Sequence, residues 1–340
     1  MKNTFKVLIA VILVALVVYF MGPRPAQPQY SAQLPVVPQL PELENYVKSI
    51  ESRHKIKPGN EAEIVWADSA NKQQSEYSIV YLHGYTASKE EGNPVHTHLA
   101  KEINANLYLA RLADHGIDTV SAMEYYTPDR AWESAKQALE IGRRLGKKVI
   151  LMGTSTGGTL ALKLAATYPK QVYSLMLMSP NIEINEKFAF LLNNPWGLQI
   201  ARLNFGGKKE REVADSDPKY AKYWYTKYRL ESAVELQELV ETTMNKQTFE
   251  KVTQPTLLLY YYKNEQEQDK TVKVSAELKM FDELGTPASM KVKKAIPNAG
   301  DHVIGSYITS KDIPSVLQAV DEFVKNVLKI PVKEKAAVQP

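Results

Sequence analysis

The run Val149-Ile-Leu-Met-Gly-Thr-Ser-Thr-Gly-Gly158, continued by Thr-Leu-Ala-Leu-Lys-Leu-Ala-Ala-Thr-Tyr168, confines the chain to few architectures. Val149 to Met152 is continuously apolar, as a strand buried on both faces requires. Leu160 and Leu164, with Ala161 and Ala165, then repeat at helical spacing. Between them, Gly153-Thr-Ser155-Thr-Gly157 must turn a strand into a helix within a few residues. Glycines are needed there because the strand and helix backbones nearly touch. Such a turn lifts Ser155 above a sheet, and the first N–H groups of the helix point at any oxyanion formed there.

The rest of the body alternates in the same way. Strands are expected near Glu63–Ala67, Ser78–Leu82, Asn106–Leu112, Val172–Ser179, Pro255–Tyr262 and Met290–Ile296. Helices are expected over Leu43–Ser52, Arg130–Leu145, Leu278–Leu284 and Ile313–Leu328. Strands separated by helices imply βαβ units, right-handed crossovers and a mostly parallel central sheet flanked by helices, an α/β fold. Residues 181–251 break this rhythm. They carry Phe188, Phe190, Trp196, Phe205, Tyr220, Tyr223, Trp224, Tyr225 and Tyr228 but no clear buried strand, which predicts a helical lid inserted between two sheet strands.

The ends are different in kind. Lys2 and Lys6 precede a nearly unbroken apolar run from Val7 to Met21, which predicts an uncleaved N-terminal membrane helix over 1–21. Lysines on its N-terminal side would leave the body on the extracytoplasmic face. A cleaved signal peptide, giving a secreted or periplasmic protein, is the alternative; Tyr19, Phe20 and Met21 end the run, and no Ala-x-Ala follows. Prolines at 23, 25, 28, 35, 38 and 41 make 22–41 an extended linker. The globular domain then covers 42–330, with a tail over 331–340. The net charge of +4 and the absence of a long basic stripe give no support for nucleic-acid binding. With no cysteine, thiolate nucleophiles, thiolate metal sites and disulfides are excluded. His96, His98 and His115 have no convincing zinc spacing, so neither a metal nor a cofactor is expected. Oligomeric state is not legible.

A serine hydroxyl becomes a nucleophile only beside a base whose tautomer is held by a carboxylate. Of six histidines, His302 lies in Asn298-Ala-Gly-Asp-His-Val-Ile-Gly305, between the last strand and the last helix. A loop at the carboxyl end of a parallel strand opens on the same face as Ser155. The acid is expected after the preceding strand, in Lys263-Asn-Glu-Gln-Glu-Gln-Asp-Lys-Thr-Val272. Asp269 is preferred as lying just before the next helix, with Glu265 and Glu267 as alternatives. Oxyanion donors would be the backbone N–H groups of Thr156 and Tyr85, the latter in His83-Gly84-Tyr85-Thr86. His83 itself is expected to be structural.

The order Ser155, Asp269, His302, with His83-Gly84 upstream, resembles the α/β-hydrolase superfamily. His83-Gly84-Tyr85-Thr86-Ala87-Ser88 and Leu112-Ala-Asp-His-Gly116 are similar to the monoacylglycerol lipase, carboxylesterase and serine aminopeptidase-like branch. Asp114-His115-Gly116 stands where that branch usually has Gly-His-Gly, and Thr154 and Thr156 flank the serine where it more often has His or Gln and Met or Leu. The resemblance implies a serine hydrolase acting on lipid or short-chain acyl esters. Amide or peptide cleavage is the alternative, for which Glu183, Glu186 or Asp217 would have to clamp a free amine. A catalytically silent binding protein of the same fold is the third reading.

Overall fold

The computed structural model describes residues 2–213 and 217–332. Its N-terminal helix α1 (Lys2–Phe20) is followed by an extended stretch and α2 (Leu40–Glu51). The body then builds β1 (Glu63–Val65), β2 (Ser75–Leu82), α3 (Val95–Glu102), β3 (Asn106–Leu109), α4 (Pro128–Leu145), β4 (Gly146–Thr154), α5 (Thr156–Thr167) and β5 (Val172–Met178). Next come α6 (Gly197–Asn204), β6 (Glu210–Glu212), α7 (Pro218–Tyr223), β7 (Lys227–Arg229), α8 (Leu230–Thr243) and α9 (Lys246–Glu250). The sheet resumes with β8 (Thr256–Tyr260), α10 (Val274–Glu283), β9 (Lys291–Ala295) and α11 (Ile313–Asn326).

Seven strands form one sheet in the order β1-β3-β2-β4-β5-β8-β9. Only β1, at one edge, is antiparallel to its neighbour. Alternate residues of each central strand feed two separate cores, as the two-residue period of a strand demands. Val80, Leu82 and Leu151 pack with α4, α5 and α8 on one side. Ile79, Tyr81, Ile150 and Met152 pack with α3 and α11 on the other. This is the α/β-hydrolase arrangement, a mostly parallel sheet flanked by helices.

The segment between β5 and β8 is more mixed than the expected helical insertion. Short strands β6 and β7 pair antiparallel as a separate ribbon. Glu210-Arg-Glu212 has no apolar alternation, so nothing in its pattern announced a strand. The Pro-rich stretch lies against the body. Lys136, 1% exposed in α4, donates to the carbonyls of Ser31 and Gln33, and Trp132 Nε1 donates to Ser31 O.

The N-terminal expectation requires correction. Among the described residues no helix is long and apolar enough to cross a membrane. The uninterrupted apolar part of α1, Val7 to Phe20, spans only about 21 Å at the rise of an α-helix, well short of a hydrocarbon core of about 30 Å. Its last turn is also engaged elsewhere, since Trp196 Nε1 donates to Val18 O, and Trp196 N–H donates to Pro23 O just beyond the helix. The single-pass anchor, and the extracytoplasmic placement built on it, lose their basis. From residue 333 onward the expected C-terminal tail lies outside the described residues.

Candidate active site

Ser155 sits between β4 and α5 with φ 53° and ψ −121°, a left-handed conformation unusual for a side chain with a Cβ. The turn is held by its own backbone: Ser155 N–H donates to Met178 O, and Ser155 O accepts from Gly158, Thr159 and Asn181. Gly157 is obligatory for the reason read from the sequence. A Cβ there would lie 1.9 Å from the Leu82 carbonyl oxygen. Thr156 is the first residue of α5, so its N–H has no acceptor within the helix.

The loop after β2 runs beside this elbow. Leu112 N–H donates to His83 Nε2 at 3.0 Å, so the ring proton is on Nδ1, which donates to Gly84 O at 2.9 Å. Burial, with the neighbouring His115 ring, holds the His83 pKa well below its ordinary value. His83 is therefore a neutral brace for the loop, and Tyr85 follows it. The Tyr85 hydroxyl shares a 2.5 Å hydrogen bond with Ser232 Oγ of α8, anchoring the loop to the inserted segment.

His302 and Asp269 meet. His302 Nδ1 lies 2.6 Å from Asp269 Oδ2. The other oxygen, Oδ1, accepts the N–H groups of Thr271 at 2.7 Å and Val272 at 3.0 Å. Asp269 thus precedes a short turn, after which helix α10 starts at Val274. Asp269 is 1% exposed; burial opposes its charge, but His302 and the two N–H groups outweigh it and hold its pKa below the ordinary value. Burial also opposes the His302 cation, yet Asp269, with Glu91 and Asp301, raises the His302 pKa above its ordinary value. Glu265 and Glu267 bond other partners, the Tyr262 hydroxyl and Lys263, although Glu267 also lines the cavity that Ser155 and His302 share.

Ser155, His302 and Tyr85 line one cavity of about 580 Å³. His302 Nε2, facing away from Asp269, has no hydrogen-bond partner among the described residues; Ser155 Oγ is not within bonding geometry of it. Of the aromatic residues in the inserted segment, Tyr220, Trp224 and Tyr228 reach the cavity wall. Trp224 and Tyr220 stack with centroids 4.6 Å apart. Tyr225 is buried against the Ile117 backbone, whereas Phe188 and Phe190 are exposed.

Of the three residues proposed to clamp an amine, Glu186 lines the cavity. Glu183 is paired with Lys273, and Asp217 caps α7 by accepting from Lys219 N–H. His96, His98 and His115 go to separate partners, the Lys89 carbonyl, Asp321 and the Ala113 carbonyl. One cavity residue escaped the sequence reading. Glu91, 2% exposed, accepts Gly84 N–H at 2.5 Å. In the sequence it stands in Lys89-Glu-Glu-Gly92, which reads as a solvated charged turn.

A family model described as serine aminopeptidase, S33, matches residues 78–297. No curated protein sequence matches the chain. Among solved structures, that of the metagenome-derived lipolytic enzymes LipS and LipT aligns with a TM-score of 0.62 at 17% identity, over 80% of this chain and 99% of that one. A monoacylglycerol lipase from Paleococcus ferrophilus aligns at 0.56 and 15% identity, over 77% and 97% of the two chains. Est1E from Butyrivibrio proteoclasticus, with ferulic acid bound, aligns at 0.54 and 17% identity, over 79% and 95%. At such identities the likeness is one of fold.

Proposed function

Because the chain belongs to the serine aminopeptidase S33 family of α/β-hydrolases, we propose that it is a serine hydrolase cleaving carboxylic esters of lipid or short acyl groups. The observation that carries the reading is the 2.6 Å contact of His302 Nδ1 with Asp269, in the cavity that Ser155 lines. In this reading Ser155 Oγ attacks the ester carbonyl and passes its proton to His302 Nε2. The Tyr85 and Thr156 N–H groups hold the oxyanion. Collapse breaks the ester bond, and the imidazolium protonates the departing alcohol. Water then attacks the acyl-enzyme, giving a proton to His302, which returns it to Ser155 Oγ as the acyl–serine bond breaks and the acid leaves. No step calls for a cofactor or metal.

The segment over 181–251 is read as a lid whose Tyr220, Trp224 and Tyr228 contact the acyl or alcohol group. The likeness in fold to proteins described as lipolytic enzymes and as a monoacylglycerol lipase supports the ester reading over the amide one. Glu186 in the cavity supports the amide alternative, which aminoacyl-arylamide turnover would reveal. The primary test is p-nitrophenyl ester hydrolysis with a fluorophosphonate probe. Ser155→Ala is expected to lose at least about 10³-fold in kcat and all labelling. Full activity in that variant refutes the assignment. A folded wild-type protein that takes no label would instead favour a silent binding protein.

A further inference from the structure

The cavity holds a second buried carboxyl group that the steps above leave unused. Glu91 lies in the tight turn Lys89–Gly92 that follows the Tyr85 loop. Its Oε2 accepts Gly84 N–H at 2.5 Å and the Tyr81 hydroxyl at 3.1 Å. That hydroxyl is also 3.0 Å from Thr154 Oγ1, on the residue before Ser155. The other oxygen, Oε1, faces the nucleophile's neighbourhood. A Cβ on Gly84 would lie 2.6 Å from it and 3.0 Å from Ser155 Cβ. Only glycine at 84 lets the carboxyl group, the loop and the elbow come together.

We infer that Glu91 is a positioning residue that ties the loop bearing the Tyr85 N–H to the elbow bearing Ser155, through Gly84 N–H on one side and Tyr81 and Thr154 on the other. The inference rests on the serine-hydrolase reading of the site. Gly84 has no side chain to fix its torsions, so its N–H is the handle by which the loop is held. A buried carboxyl oxygen accepts this N–H in either protonation state, and most firmly when ionised, because hydrogen bonds to a charged acceptor are about twice as strong as neutral ones. The Tyr85 N–H, one peptide further on, then keeps its aim at the carbonyl oxygen.

Charge enters as well. The groups facing Glu91 are His302 on its loop, Tyr81 from β2 and Trp224 from the inserted segment. Burial pushes the Glu91 pKa up to about 7, while Gly84 N–H and His302 act the other way. When ionised, Glu91 adds to Asp269 and Asp301 in raising the His302 pKa. Removing the charge therefore lowers the pH at which His302 takes its proton.

The test compares Glu91→Ala and Glu91→Gln by p-nitrophenyl butyrate kinetics, fluorophosphonate labelling rate and thermal melting. Glu91→Ala should lower kcat roughly 10²-fold, as for a displaced catalytic group, with KM changed less than about threefold. Glu91→Gln, which keeps an acceptor for Gly84 N–H, should recover about tenfold or more of that loss. Its acid limb in kcat/KM should move to lower pH. A folded Glu91→Ala labelled at the wild-type rate overturns the inference, as does Glu91→Gln failing as badly as Glu91→Ala. Should Glu91→Ala not fold, an unmoved acid limb in Glu91→Gln overturns it. Wild-type protein that takes no label removes the hydrolase reading itself, and this inference with it.

Discussion

At the scale of single residues, the pairing of His302 with Asp269 sets the pH behaviour. The raised His302 pKa means that the neutral base needed for attack is lost as pH falls through a value above the ordinary 6.5 or so of histidine. Wild-type kcat/KM should therefore decline on the acid side at a pH above that value. Asp269→Asn removes the largest attraction for the imidazolium, so its acid limb should shift downward. It also frees the ring to adopt the wrong tautomer, so kcat should fall by roughly 10²–10⁴-fold. A pH series of ester turnover on both proteins checks the two effects together. Equal loss in Glu265→Gln or Glu267→Gln, which lie on Tyr262 and Lys263, would contradict the choice of acid. The place of Ser155 at the turn from β4 to α5 was legible in the sequence because every constraint on it is local: a buried strand, glycines that a Cβ would jam, a small-residue helix. Which carboxylate meets His302 was legible only as a preference for Asp269, because three carboxylates within five residues differ only in which way a loop folds. Glu91 was invisible because its meaning depends on Gly84, seven residues back, lying against it.

At the scale of elements, α5 and α10 carry opposite risks. Helix α5 packs so closely on β2 that Gly157→Ala would drive a methyl group into the Leu82 carbonyl. Backbone cannot yield cheaply, and Ser155 moves with the turn. Both stability and labelling should drop, by about 2–4 kcal/mol in denaturant unfolding for the former. Helix α10 instead buries Glu277 completely, and neither of its carboxylate oxygens has a hydrogen-bond partner among the described residues. Burial, then the Asp269 charge, raises its pKa well above the ordinary value. The native state thus keeps a proton that the unfolded chain releases above a pH of about 4.5. Native stability must fall as pH rises from that value toward the native pKa. Glu277→Met should abolish this component and raise the melting temperature at neutral pH, with a gain on the order of 1–3 kcal/mol. A variant less stable than wild type at pH 7 would show that the carboxyl group has a stabilising partner. Long elements with regular periodicity were readable in advance. Helix α3 was not, because Val95-His-Thr-His is β-branched and polar, and the helix forms only by burying Val95 and Leu99 against α11.

At the scale of the whole molecule, the Pro-rich stretch binds parts of the body that the sheet does not join directly. Tyr30 shares a hydrogen bond with Thr242 of α8, and its ring lies 3.8 Å beneath the Lys163 ammonium of α5. Tyr168, at the end of α5, donates to Ala32 O, while Trp132 and Lys136 of α4 donate to Ser31 and Gln33 carbonyls. Val37 is then buried in the core that α4 and α5 share. Proline supplies the reason that so short a stretch can act as a strap. Its fixed φ keeps the chain extended in the unfolded state too, so less backbone entropy is lost on docking. The Lys136 ammonium depends on this strap, because the backbone carbonyls of Ser31 and Gln33 and the Glu133 carboxylate are what it faces in a nearly solvent-free position. Removing residues 22–33 leaves that charge half-solvated at best and exposes the ring of Trp132. The truncated protein should lose roughly 3–5 kcal/mol, the range for breaking a buried ion-binding arrangement. Adding Lys136→Met to the truncation should return part of that loss, since the uncompensated charge is then gone. Ser155 labelling by fluorophosphonate should persist in both, because none of residues 22–33 lines the cavity that Ser155 and His302 share. A truncation that melts like the full chain would show that the strap merely lies along the surface, and a further fall in stability on adding Lys136→Met would show that the lysine had kept its partners without it.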